Sequence, residues 1–367
     1  VFIKSLKIRN FRNLEKIDLD CNELISYFYS PNGTGKTNLL EAVQCLSVGK
    51  SLRATAEQDL ADYQSVKPKS VLVQASLQDE DGLESSQTFA VEFEPKKKKT
   101  LLINKTKTSI NHYVGRVPSI WFSPESIKII NSSPKSKRKY FDDILIQLYP
   151  EYMYDLRYYN KALQNRNKLL QDDVVKLGQM RVWTEQLILY GSKIIKTRQK
   201  FFALVNEYFD KLDELPRYKF RVEFEPSITL NEVFDEDAKY NFHEALRERY
   251  QSDRRRGTTT CGPHRDDWNM LIQIHEEAGY IRADKFASRG QQRMALIMLQ
   301  MVLIRIFQKN LDRKPILLLD DIFSELDEEN EKLLVNFILH NTIQSFITGV
   351  DKKEFGTIAE VNLREVM

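Results

Sequence analysis

The stretch Ser30-Pro31-Asn32-Gly33-Thr34-Gly35-Lys36-Thr37 decides the fold of this chain. Ahead of it, Leu24-Ile25-Ser26-Tyr27-Phe28-Tyr29 is a short apolar and aromatic run suited to a buried strand. Behind it, Leu39, Leu40, Ala42, Val43 and Leu46 recur at helical spacing on one face. Strand, glycine loop and helix in succession is the context in which such a loop binds phosphate. The glycines let backbone N–H groups close around phosphate oxygens at the positive end of a helix. Lys36 is placed to reach the β- and γ-phosphates of a nucleotide, and the Thr37 hydroxyl to hold a magnesium ion. The pattern G-x-x-x-x-G-K-[ST] begins with glycine, whereas this chain has Ser30. If that position requires φ > 0, serine is strained there by about 1–3 kcal/mol; otherwise Ser30 tolerates the geometry.

The matching half lies near the other end of the chain. Ile316-Leu317-Leu318-Leu319-Asp320-Asp321 follows Pro315 and reads as a strand buried on both faces, with carboxylates emerging at its C-terminal end. Asp320 is the candidate magnesium ligand, directly or through water. Asp321 is the candidate catalytic residue that polarises the attacking water, since hydrolysis needs a positioned acceptor in line with the γ-phosphate. Two surface aspartates at a strand end is the plainer reading. The loop upstream and Ser324-Glu325-Leu326-Asp327 downstream weigh against it.

A third segment, Ala287-Ser288-Arg289-Gly290-Gln291-Gln292, opens a very apolar helix from Met294 to Phe307. Read alone it is a helix N-cap. A serine hydroxyl, a glycine N–H and a helix dipole also converge there into an anion receptor. A chain with one complete phosphate loop needs no second. Ser288, Gly290 and Gln291 are therefore expected to grip the γ-phosphate bound to another subunit, with Asp327 near the seam.

With 367 residues the chain can bury a full core, as two domains or one domain with an insertion. A formal charge of +3 excludes a global positive field, so any nucleic-acid contact rests on local basic patches. Cys21, Cys45 and Cys261 form no C-x-x-C pair; so sparse a set fits a reducing cytoplasm and argues against disulfides and zinc. The N-terminal stretch lacks a signal-peptide core, and no uninterrupted apolar run reaches about 18 residues, so no membrane span is expected. The nearest candidate, Ala295 to Phe307, contains Gln300 and Arg305 and reads as a buried core helix.

Residues 1–20 alternate as a strand pair, and 70–122 carry short runs that read as antiparallel strands. Lys96-Lys97-Lys98-Lys99 lies between two of them, as a solvated hairpin tip or a DNA phosphate contact. Beyond Pro124 the sequence turns long, charged, glycine-poor and helical, and sheet character returns at Tyr218 to Phe224. The expected fold is α/β: a P-loop ATPase head over 1–124 and 258–367, with a mainly helical arm inserted over 125–257.

In this order the motifs resemble the ABC-type ATPase heads of the SMC class, and among them the RecF family. Ile8-Arg9-Asn10-Phe11-Arg12-Asn13 matches the family's opening, and Gly49-Lys50-Ser51-Leu52-Arg53 the segment after the loop helix. Phe122-Ser123-Pro124-Glu125 stands where related ATPases carry their Q-loop. Pro134 to Asp142 resembles the basic stretch leading into the arm, and Gly262-Pro263-His264-Arg265-Asp266-Asp267 is the most family-like segment of all. Thr348 stands where transporter-type ATPases have a switch histidine, which RecF-like chains also lack. His264 is read as structural or DNA-facing rather than catalytic. The resemblance implies ATP and Mg2+ as cofactors, an ATP-dependent homodimer, and a weak, DNA-stimulated ATPase. It also implies binding to DNA at single-strand/double-strand junctions and gaps, and work with RecR and RecO to load RecA in recombinational repair and replication.

The main alternative is the head of another SMC-like DNA-repair ATPase, although such heads carry far longer coiled coils between loop and signature. A transporter subunit would need a membrane partner. A GTPase is disfavoured because Asn104-Lys105-Thr106-Lys107 has lysine where guanine recognition needs aspartate. An inactive ATPase that survives as a DNA-binding protein is the remaining reading.

Overall fold

The computed structural model describes residues 2–51, 53–54, 57–61, 70–78, 87–94, 97–123, 126, 128–174, 177–212, 218–230, 235–275, 277–324, 326, 328–352 and 359–363. The chain divides into two compact units, residues 1–128 with 296–367, and residues 129–295.

In the first unit, β1 (Phe2–Phe11) and β2 (Leu14–Asp20) pair antiparallel, with Leu6 opposite Leu19 and Ile8 opposite Ile17. Ile3, Leu6, Ile8, Leu14 and Ile17 are completely buried, and a register shift between Ile3 and Ser5 returns Leu6 and Ile8 to the core face. Next come β3 (Ile25–Tyr29) and the loop helix α1 (Lys36–Val48). The strands β4 (Val71–Gln78), β5 (Gln87–Phe93), β6 (Thr100–Ile103) and β7 (Thr106–Thr108) complete a six-stranded antiparallel sheet, ordered β2-β1-β4-β5-β6-β7. Asn104 and Lys105, both at positive φ, make the tight turn between β6 and β7. The segment that begins like a guanine reader is therefore a hairpin turn. A short α2 (Ile110–Tyr113) and β8 (Ser119–Phe122) follow.

The second unit opens with α3 (Pro134–Leu148), capped by Ser133. Then come α4 (Pro150–Gln171) and α5 (Leu177–Asp210), long helices that pack along each other. Strand β9 (Lys219–Glu225) and helix α6 (Asp235–Arg256) lead to β10 (Asp267–Gln273), β11 (Ile281–Arg282) and α7 (Ala283–Phe286). Strand β10 lies between β9 and β11, antiparallel to both. This pairing gathers 258–282 with the arm. The second boundary between the compact units accordingly falls at 295/296, inside helix α8 (Arg289–Leu311), and not at the expected 257/258.

Helix α8 is long and apolar enough to span a membrane by length and composition, but 67% of that window is buried within the protein. Ala295 to Leu299 and Met301 to Ile304 are fully shielded, as for a core helix. The chain then returns through β12 (Ile316–Asp320), α9 (Glu328–His340), β13 (Ser345–Gly349) and β14 (Ala359–Asn362). These strands form a parallel sheet ordered β14-β3-β13-β12-β8. Helix α1 packs against strands of both sheets of the first unit, and its Leu39, Leu40, Val43 and Leu46 join their common core.

Candidate nucleotide-binding site

The parallel sheet explains how two segments 283 residues apart form one site. Strands β3 and β12 are not neighbours; β13 lies between them. All three run parallel, so the glycine loop after β3, the carboxylates after β12 and Thr348 near the end of β13 emerge at one edge. That edge is where open α/β sheets take their ligands.

The loop has the backbone its glycines predict. Gly33 and Gly35 sit at φ 85 and 108, in the region other residues rarely enter. A side chain at Gly35 would also meet the Asn13 amide and Leu14, each 2.8 Å from the added carbon. Ser30 is absent from the positive-φ residues, so serine is unstrained there and the conditional penalty does not arise. Its hydroxyl pairs with that of Thr34, and its N–H donates to the Gly349 carbonyl at 3.3 Å. Asn13, which sequence reasoning passed over, donates to the Thr34 carbonyl at 3.1 Å and accepts from Asn38 at 2.7 Å. These bonds fix the loop from both sides.

Lys36 is buried, and its ammonium donates to the carbonyls of Ser30 and, at 3.1 Å, Pro31. Burial pulls its pKa below the ordinary lysine value, opposed by the negative charge of Asp321 and then Asp320. The Thr37 hydroxyl donates to Asp320 Oδ1 at 3.0 Å. Thr348, fully buried, donates to the same oxygen at 2.9 Å and accepts from the Asp321 N–H at 3.0 Å. Asp321 adopts φ 50, a left-handed conformation that aspartate tolerates better than most residues. Its carbonyl accepts the Ser324 hydroxyl at 2.7 Å.

The oxygen chemistry fits magnesium, which takes one or two protein carboxylates or hydroxyls together with substrate phosphates. Among the described residues no cluster of three or more His, Cys, Asp or Glu side chains could hold a metal by itself. A ligand set of Thr37, Asp320 and phosphate oxygens fits that arrangement.

Beside the loop, Glu41 is completely buried and receives both Nε and Nη2 of Arg12 at 2.7 Å, with Arg53 at 3.1 Å. Arg12 of the opening motif and Arg53 of the post-loop segment thus meet on one carboxylate of α1. Ser123 bonds Ser126, whereas Leu52, Pro124 and Glu125 lie outside the described residues, as do Glu325 and Asp327.

Ser288, Gly290 and Gln291 belong to the second unit. The Ser288 N–H donates to Gln291 Oε1 at 2.8 Å, and the Gln291 N–H to Ser288 Oγ at 3.3 Å. This reciprocal pair is a capping box at the start of α8, and Gly290 has open space where a side chain would be.

Two cations of the basic segments have structural roles. Lys137 is not an exposed DNA contact: it is buried, donates to the Trp268 carbonyl at 2.9 Å and lies 3.8 Å from Asp267. Arg254 caps the end of α4 by donating to the carbonyls of Leu170 and Asp173. Lys135, Lys139, Arg255 and Arg256 do remain on the surface.

The family-like segment 262–267 is anchored from within its own unit. Arg198 donates to the Pro263 carbonyl at 2.7 Å and to Asp266 and Asp142 at 2.8 Å each. His264 accepts from the Tyr159 hydroxyl at Nδ1 (2.6 Å) and donates from Nε2 to the Thr259 carbonyl (3.0 Å), which defines a neutral tautomer. Burial pushes its pKa down to about 4. His264 is a structural residue of this loop.

Comparison with known proteins agrees with this architecture. The family described as RecF/RecN/SMC N terminal domain matches residues 2–365. The DNA replication and repair protein RecF of Thermoanaerobacter sp. (strain X514) is 34% identical over 368 residues, covering 96% of this chain and 95% of that protein. A solved structure of the recombination mediator protein RecF-ATPrS in the RecFOR pathway superposes with a TM-score of 0.87 at 28% identity, covering 99% of this chain and 96% of its own. An SMC head bound to the C-terminal winged-helix domain of ScpA shares the fold at a TM-score of 0.53 and 16% identity, over 96% and 90% of the two chains. A glycine loop and paired aspartates converging at one sheet edge, and relatives that span nearly the whole chain, give one conclusion: the chain belongs to the RecF family, with the SMC-type ATPase-head fold.

Proposed function

We infer that this protein is an ATP-dependent DNA-binding protein of replication and recombinational repair, which closes as a homodimer around ATP at single-strand/double-strand gaps. One observation carries the nucleotide half: Thr37 of the glycine loop donates to Asp320 of the distant strand at 3.0 Å, beside a buried Lys36. A sequence motif alone does not bring a hydroxyl, a carboxylate and an ammonium to one sheet edge. The DNA half rests on kinship with proteins named for replication and repair.

In this reading Lys36 exchanges its loop carbonyls for the β- and γ-phosphates, making charge-assisted bonds at the N-terminus of α1. Backbone N–H groups of residues 32–35 enclose the phosphates, and Thr37 and Asp320 would hold the metal. Magnesium, when bound, would neutralise charge on the phosphate oxygens. Asp321 orients the attacking water and accepts its proton. Ser288, Gly290 and Gln291 of a second protomer receive the γ-phosphate, with Asp327 near the seam, so turnover releases the dimer. Hydrolysis is slow and stimulated by DNA. RecO and RecR are the partners, and RecA the protein loaded at the gap.

Equilibrium titration of ATP against the parent and Lys36→Ala tests the site. The variant keeps its fold and loses ATP affinity by at least about tenfold, since a charge-assisted bond to phosphate is worth more than 1.4 kcal/mol. Equal affinity in both proteins contradicts the assignment. Gapped DNA, added with and without ATP, tests the DNA half separately.

A further inference from the structure

Within the second unit, one face of α4 and α5 carries three tyrosines in mutual contact. The rings of Tyr154 and Tyr158 are 4.2 Å apart between centroids, those of Tyr158 and Tyr190 5.2 Å and stacked, and those of Tyr154 and Tyr190 6.1 Å and edge-on. Tyr154 is 43% exposed, so part of its ring is open to solvent.

Cations border the cluster. Arg157 follows Tyr154, and Lys161 follows Tyr158, by three residues on α4, so they share its exposed face. On α5 the Lys193 ammonium stands 5.9 Å from the Tyr190 ring centre. Asp155 beneath is buried and lies 3.9 Å from Lys193, while Glu151 stands a turn before Tyr154. Positive charge therefore extends from the tyrosines toward the C-terminal half of α4, where Lys168 is also exposed. Hydrogen bonding to Tyr158 lifts the Tyr154 phenol to about 12.

We propose that this face is a stacking platform for single-stranded nucleic acid, in which unpaired bases lie on Tyr154 and its neighbours while Arg157, Lys161 and Lys193 hold the phosphates. Aromatic rings interleaved with cations are what an unpaired strand requires, because every base has a face to stack and every linkage a charge. A duplex hides its base faces and gains only the phosphate contacts. The platform rests on the DNA-binding reading above, and assigns the unpaired part of the substrate to the helical arm.

Oligothymidylate and a duplex of equal length, titrated at several salt concentrations against the parent, Tyr154→Ala, Tyr154→Phe and Arg157→Gln, test the proposal. Tyr154→Ala weakens single-strand binding about tenfold and leaves duplex binding unchanged, and Tyr154→Phe restores it. Arg157→Gln flattens the logarithmic salt dependence for the single strand by about 0.7. Single-strand binding equal in parent and Tyr154→Ala overturns the platform and leaves the tyrosines as a protein-docking face; equal losses for single strand and duplex also overturn it. A parent that binds neither DNA overturns the DNA reading itself.

Discussion

Thr348→Val removes one hydroxyl from the point where the loop strand and the aspartate strand are joined. The side chain is fully buried, so water cannot take its place. Its hydroxyl donates to the Asp320 carboxylate at 2.9 Å and accepts from the Asp321 N–H at 3.0 Å. A bond to a charged group contributes about 1.5–3 kcal/mol and a bond to a peptide N–H about 1 kcal/mol. Asp320 keeps its bond from Thr37, which favours the lower end, whereas the Asp321 N–H loses its hydroxyl acceptor. The expected destabilisation is about 2–4 kcal/mol. Thr348→Ser keeps both bonds and loses a methyl group, costing about 1 kcal/mol. Urea unfolding of the three proteins at neutral pH measures both differences, with an unchanged slope as the sign that only stability moved. ATP turnover, followed in parallel, falls in the valine variant because the hydroxyl also holds Asp321 in its left-handed conformation. A valine variant within about 0.5 kcal/mol of the parent, or a serine variant as unstable as the valine, refutes the reasoning.

Arg198→Met removes the cation that ties Asp142, Asp266 and the Pro263 carbonyl together, and lowers stability by about 3–5 kcal/mol in denaturant unfolding. His264 gives a pH signature. Its folded pKa of about 4 lies below the unfolded 6.5, so the unfolded chain takes up the proton first and stability falls as pH drops through that window. The loss approaches about 3 kcal/mol and is complete near pH 4, so the stability gap between parent and His264→Gln shrinks by that amount between neutral pH and pH 4. A gap that stays constant with pH contradicts the buried neutral tautomer.

Much of the local conformation at the candidate site was legible because its signals are local. The loop glycines, the apolar run before Asp320 and the periodicity of α1 each report the conformation of their own segment. What remained hidden depends on partners distant in sequence. Lys137 sits in a basic run and reads as surface, yet its ammonium finds the Trp268 carbonyl 131 residues away. Thr348 reads as a missing histidine, but strand order places it between Asp320 and Asp321 as a bridge. The compact units divide at 295/296 because β9 pairs with β10, and no periodicity within either strand specifies that neighbour. At Ser288 the sequence supports an N-cap and an anion receptor equally. The capping box satisfies the first, and the second depends on a partner protomer.

Sedimentation with ATP tests the shared-site mechanism most directly, using the parent, Ser288→Arg and Asp321→Asn. Ser288→Arg is expected to bind ATP as the parent does but stay monomeric, because a bulky cation replaces the small donor at the helix N-terminus. Asp321→Asn is expected to bind ATP, fail to turn it over and remain trapped as a dimer, since no carboxylate accepts the proton of the attacking water. A Ser288→Arg protein that dimerises normally with ATP, or an Asp321→Asn protein that hydrolyses ATP at the parent rate, contradicts the account.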